Sequence, residues 1–139
     1  MKNSFKVSNA LACEHVIDGV NKKHTLINTY AGNILLAEFP AKIFLAFYVE
    51  FISNAAYETE AEISLHLGRK VAMRGALNIK FDGINPLVLA IPAGVLQVEK
   101  PTRMKLMITP SGGKAIKLIE KELMPLEGQA SPIASPLPS

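Results

Sequence analysis

"YETEAEISLHLGRKVAMRGALNIKF" (57–81) is the stretch on which the fold turns. Apolar and polar residues alternate through both of its halves. Tyr57, Thr59, Ala61, Ile63, Leu65 and Leu67 fall on one side of an extended chain, and Glu58, Glu60, Glu62, Ser64 and His66 on the other. After Gly68-Arg69 the alternation resumes, with Val71, Met73, Leu77, Ile79 and Phe81 against Lys70, Arg74, Asn78 and Lys80. Successive side chains of a strand point to opposite faces, so a period of two reads as a half-buried strand. Two such runs joined by Gly-Arg read as a β-hairpin. Both apolar faces stay on one side only if paired residue numbers add to an even value. Glu58 then meets Lys80 or Asn78, and Glu62 meets Arg74 or Ala76. Such pairs on a wet face contribute a few tenths to ~1 kcal/mol each.

The same signals extend in both directions. Residues 5–17, 24–30 and 42–53 read as strands, followed beyond the hairpin by 86–91, 95–99 and 103–109. Residues 42–53 are apolar on both faces, which places them at the centre of a sheet. Phe44, Phe47, Tyr48 and Phe51 lie in that run, one part facing a second sheet and one part facing a partner. Residues 114–124 fit a helix or a strand, and the preceding Ser-Gly-Gly turn favours a strand paired with 103–109. About eight short strands punctuated by Gly and Pro turns specify an all-β fold, an antiparallel β-sandwich of immunoglobulin-like type. One domain over 1–126 and a disordered Pro- and Ser-rich tail over 127–139 complete the expected organisation.

Composition narrows the function classes. A net charge of +3 is too mild for the dense basic footprint of a nucleic-acid binder. Lys100, Arg103, Lys105, Lys114, Lys117 and Lys121 cluster over 100–121, opposed there by Glu120 alone. The segment holds no aromatic on which bases could stack, so the lysines read as a protective sheet edge. Nucleic acid is disfavoured as a partner. No run approaches the ~18 apolar residues of a membrane span, and the small-residue run before Cys13 lacks the apolar segment of a signal peptide. A cytoplasmic protein with no membrane partner is expected.

The chemistry-bearing residues are few. Cys13 and His15 share a strand face, and His24 lies on the next strand. If the intervening loop centres on Gly19-Val20, His15 faces His24 and a thiolate–imidazole set forms. If it centres on Asn21-Lys22, His15 faces Asn28 and the set disperses. Asn21 favours the second, because Asn tolerates the left-handed conformation of hairpin turns. Neither a fourth ligand nor a recurrent ligand spacing supports a metal, so no cofactor is expected and Cys13 reads as a small buried apolar residue. Ser111-Gly112-Gly113-Lys114 lacks the spacing of a phosphate loop. His66 reads as a solvated histidine.

Cys13, Glu14, Val16, Lys23, Leu26, Ile27, Tyr30, Gly32 and Ile34 together resemble the N-terminal signature of a family of short bacterial and phage-associated proteins, and Glu38-Phe39-Pro40 looks like its next element. "IPAGVLQV" and "SGGKAIKLIEKELM" are similar to its closing strand pair. The resemblance implies a compact β-sandwich with Cys13 on a structural strand, and implies no activity or cofactor.

The expectation for function is a non-enzymatic β-sandwich that contacts a protein partner or a second copy of itself. Its candidate surface is Glu58, Glu60, Glu62, Arg74, Lys80, Lys105 and Lys117. The rivals are a small metal-binding protein or enzyme built on Cys13, His15 and His24, and a sandwich holding a small ligand between its sheets.

Overall fold

The turn at Gly68-Arg69 joins strand β5 (Ala56–Leu67) to β6 (Lys70–Asp82) in a computed structural model that describes residues 3–21 and 23–126. Gly68 takes φ 60°, and Leu67 pairs with Lys70 across a two-residue turn. So tight a turn forces paired numbers to an odd sum, which would set apolar against polar side chains. A bulge repairs this within four residues. His66 pairs with Val71 but Leu65 pairs with Met73, so Ala72 is the extra residue. Beyond it Ile63 faces Gly75, Ala61 faces Leu77, Thr59 faces Ile79 and Tyr57 faces Phe81. One inserted residue thus moves a whole strand face from solvent to core.

The remaining strands are β1 (Phe5–Asp18), β2 (His24–Thr29), β3 (Ile34–Leu36), β4 (Ala41–Ser53), β7 (Leu87–Val98), β8 (Thr102–Pro110) and β9 (Ile116–Pro125). They form two sheets, ordered β2-β1-β4-β7 and β3-β9-β8-β5-β6. β4 beside β7 in one sheet, and the order β5-β8-β9 in the other, reproduce the adjacency of the immunoglobulin sandwich, with β6 placed where variable domains add a strand. All ladders are antiparallel except β3 on β9.

The sheets pack through β4, β5 and β8. Phe47, Val49 and Phe51 meet Leu65, Met104, Leu106 and Ile108, all 0% exposed. Phe5 ties one end across the sheets, its ring 5.3 Å from Phe51 on its own sheet and 5.3 Å from Phe81 on the other. With no tryptophan and a single cysteine in the chain, aliphatic and phenylalanine packing fills the centre that a disulfide and tryptophan occupy in antibody domains.

Several expectations need correction. Residues 86–91 and 95–99 are one strand, β7. Its Pro92-Ala93-Gly94 is a bulge, with Leu45 opposite Gly94 and Ala46 opposite Pro92. A bulge accommodates the missing Pro92 N–H and the positive φ of Gly94, 72°, so turn residues do not end the strand. β3 has three residues, too few to show a period, which is why it escapes a sequence reading. The lysine edge expected over 100–121 is met in part: Lys105 on β8 lies inside the sheet, between β9 and β5, whereas β3 pairs with β9 only at Leu123–Pro125 and leaves the Lys117 stretch without a strand on that side among the described residues. The expected tail, 127–139, falls outside the described residues.

Candidate functional site

The outer face of the five-stranded sheet carries the charged residues singled out from the sequence. Arg74 Nε lies 3.4 Å from Glu62, and Asn78 donates to Glu58 at 2.6 Å, with Lys80 as the ladder partner of Glu58. Lys117 and Lys105 converge on Glu120 at 3.1 and 3.5 Å. Arg103 bonds Glu122 at 2.6 Å, a carboxylate just beyond the counted segment. The Lys117 hydrogen bond, followed by the nearby Lys105 and Arg103 charges, holds the Glu120 carboxyl below its ordinary range. Glu58, Glu62, Arg74, Lys80, Lys105 and Lys117 therefore have opposite charges beside them, which leaves little field to steer a partner. Ser64 meets His66 Nε2 at 2.9 Å on the same face. Neither lines the open depression of about 650 Å³ that lies beside Glu60, Glu62 and Asn78.

Cys13, His15 and His24 do not converge. Asp18 pairs with His24 and His15 pairs with Ile27, so the loop runs Gly19–Lys23 with Asn21 (φ 57°) at its centre. This lies one residue from the second of the two registers considered, and the dispersal follows. The Cys13 thiol donates toward the carbonyls of His15 at 3.3 Å and Ala46 at 3.7 Å. Burial pushes its pKa up, the opposite of what a nucleophile or metal ligand needs. His15 stacks near Phe44 at 5.4 Å. His24 Nε2 lies 3.2 Å from Asp18 and its ring 5.5 Å from Tyr48. Among the described residues no group of three His, Cys, Asp or Glu is placed to hold a metal ion.

The outer face of the four-stranded sheet is of a different kind. β4 presents Phe44, Ala46 and Tyr48 to it, with Val95, Pro92 and Ala90 opposite on β7. Phe44 and Val95 are ladder partners and are 49% and 57% exposed. Cys13 and Ala46 are buried although they lie on this outer face, outside the core between the sheets. What covers them is the far half of the β1–β2 hairpin. Leu11 pairs with Tyr48, so an undeviating β1 would bring Asp18 level with Ala41, roughly 23 Å further along at 3.3 Å per residue. Instead His24, the partner of Asp18, touches Tyr48. Val16 and Asp18 line a small cleft with Ala46, Ala90 and Pro92. The hairpin is folded back over the sheet like a strap. Val16, His24 and Leu26 are partly buried, and Ile17 and Thr25 are exposed.

The strap's tip borders an open depression of about 760 Å³ lined by Asp18, Lys23, His24, Tyr48, Glu50 and Asn85, among others. Tyr48 donates a 2.5 Å hydrogen bond to Glu50, which raises the phenol pKa to about 12. Sequence reading missed the strap entirely, because a bend within a strand leaves the period of two intact.

Comparison with known proteins adds no relative: no family model matches the chain, and no curated protein or solved structure does. The resemblance of 13–34 to the bacterial and phage-associated signature thus rests on those residues alone.

Proposed function

We propose that this protein is a non-enzymatic β-sandwich that works by docking a protein partner, through the outer face of its four-stranded sheet. The observation that carries this reading is the pair Phe44 and Val95, cross-strand neighbours with about half of each side chain in water. Next to them stands His15, with Ala46 and Pro92 following on one side and Lys42 and Gln97 on the other. Exposed aromatic and aliphatic side chains that adjoin are the signature of a contact surface, whereas isolated ones are ordinary. This moves the contact away from Glu58, Glu60, Glu62, Arg74, Lys80, Lys105 and Lys117, which mostly neutralise one another. The partner is a second protein or a second copy of this chain.

The test is co-purification under mild crosslinking with light scattering on the same sample, for wild type, Phe44→Glu and Arg74→Glu. The reading expects a discrete complex that Phe44→Glu abolishes and Arg74→Glu retains. Loss in Arg74→Glu alone would return the contact to the charged face, and a bare monomer in all three would end the docking reading.

A further inference from the structure

β4 is paired with β7 over Ala41–Phe51, but with β1 only over Ala46–Ser53. On the β1 side of Ala41–Leu45 no strand is paired among the described residues. The Tyr30 hydroxyl donates to the Phe44 carbonyl there, at 2.9 Å. In an antiparallel ladder the N–H and C=O of one residue point to the same side, and so do those of the residue two positions away. The Phe44 N–H and both backbone groups of Lys42 therefore face the side on which Tyr30 stands. Tyr30 brings a donor and satisfies an acceptor, so this side of β4 is left richer in donors than in acceptors. Backbone groups of a strand are normally matched. The side chains that border the stretch are rings: Tyr30, Phe44, and His15 at 5.4 Å from Phe44.

An occupant suited to such a site offers carbonyl oxygens, few N–H groups and flat apolar rings. A proline-rich segment has all three, because proline keeps its C=O and lacks the N–H, and such segments dock against aromatic side chains. The chain carries one. Residues 127–139 read EGQASPIASPLPS, with Pro132, Pro136 and Pro138 interleaved with Ile133 and Leu137. Their starting point is fixed: β9 ends at Pro125, and the Leu126 N–H donates to the Leu36 carbonyl at 2.8 Å. Phe44 follows Leu36 by eight residues, so it lies within roughly 26 Å of that point at 3.3 Å per residue. Pro136 follows Leu126 by ten residues, roughly 31 Å at the 3.1 Å per residue of an extended proline-rich chain. The reach suffices without a second copy, and tethering gives the chain's own segment the advantage of a high effective concentration. Leu126 and Leu35, 50% and 41% exposed, give the segment apolar surface at its root as Phe44 does further along.

We propose that residues 132–138 of the same chain lie along the open side of β4, their carbonyls accepting from the Lys42 and Phe44 amides and their prolines against Tyr30, Phe44 and His15. A partner that docks on Phe44 then displaces this segment, a consequence that rests on the docking reading above, whereas the seat itself does not.

Hydrogen exchange on the full chain tests the seat with no partner present. It compares wild type with Ile133→Asp/Leu137→Asp, a variant that alters no residue of the sandwich. The Lys42 and Phe44 amides are expected to exchange at least tenfold faster in the variant, while the Val49 and Leu106 amides keep their wild-type rates. The wild-type protection at Lys42 and Phe44 should hold on tenfold dilution of the protein. Equal rates at Lys42 and Phe44 in the two proteins overturn the proposal. Protection that fades on dilution also overturns it, because the segment would then come from a second copy. The docking reading is judged separately, by complex formation in Phe44→Glu, so either can fail while the other stands.

Discussion

Phe44 and Phe47 sit three positions apart on one strand, and alternation sends them to opposite sides of the sheet. Phe47 is 0% exposed between the sheets and Phe44 is 49% exposed on the outer face. Phe47→Ala should destabilise by about 3–5 kcal/mol, whereas Phe44→Ala should stay within about 0.5 kcal/mol, both read from urea unfolding. Gly83 is a second position where one atom decides. At φ 80°, an added Cβ would stand 2.7 Å from the Ala56 nitrogen. Gly94 has φ 72° with open space around it. Gly83→Ala is therefore expected to lose more than the ~1 kcal/mol of backbone strain that Gly94→Ala shows in the same assay. Tyr48 supplies a titration. Its hydrogen bond to Glu50, with burial, raises the phenol to about 12, above the ordinary value of 10.0. A folded-state pKa above the unfolded one stabilises the fold below about pH 10, and that stability is lost as pH rises toward 12. Ultraviolet titration should show one tyrosine ionising last, and Glu50→Gln should bring it down.

At the scale of elements, the β5–β6 hairpin tests how register is set. The turn alone imposes the wrong parity, and Ala72 corrects it. Deleting Ala72 should expose Ile79 and Phe81 or force a new turn. The expected result is loss of the cooperative unfolding transition, while Ala72→Ser should leave it in place. The even parity of this hairpin was legible in the alternation, but not which of two registers it takes: Glu58 faces Lys80 and Glu62 faces Ala76, and their side chains reach diagonally to Asn78 and Arg74. Also legible were the central position of β4 and the pairing of β9 with β8. What sequence could not show shares a physical cause. Pro92 and Gly94 signal a local backbone conformation, and a turn and a bulge can both satisfy it. Only the partner strand decides between them. The bend of β1 at Glu14 changes which face Cys13, Val16 and His24 meet without altering a single apolar–polar alternation. Cys13 reads correctly as buried, yet the cover is the strap and not the opposite sheet.

The whole molecule has two unlike outer faces. One is laced with ion pairs, Arg74–Glu62, Lys105–Glu120, Lys117–Glu120 and Arg103–Glu122. The other sets Phe44, Ala46, Ala90 and Val95 between Lys42 and Glu50, partly exposed and partly under the strap. Exposed ion pairs weaken with salt and apolar contacts do not, so complex formation should survive ionic strengths of about 1 M, where screening acts within ~3 Å. No helix among the described residues is long and apolar enough to cross a membrane. The most direct test places a photo-crosslinking amino acid at Phe44 in one sample and at Lys80 in another, illuminated in lysate of cells that make the protein. A discrete, saturable adduct from position 44 with none from position 80 is the predicted result. An adduct from position 80 alone, or none from either, would contradict the assignment of the apolar face as the surface through which this protein works.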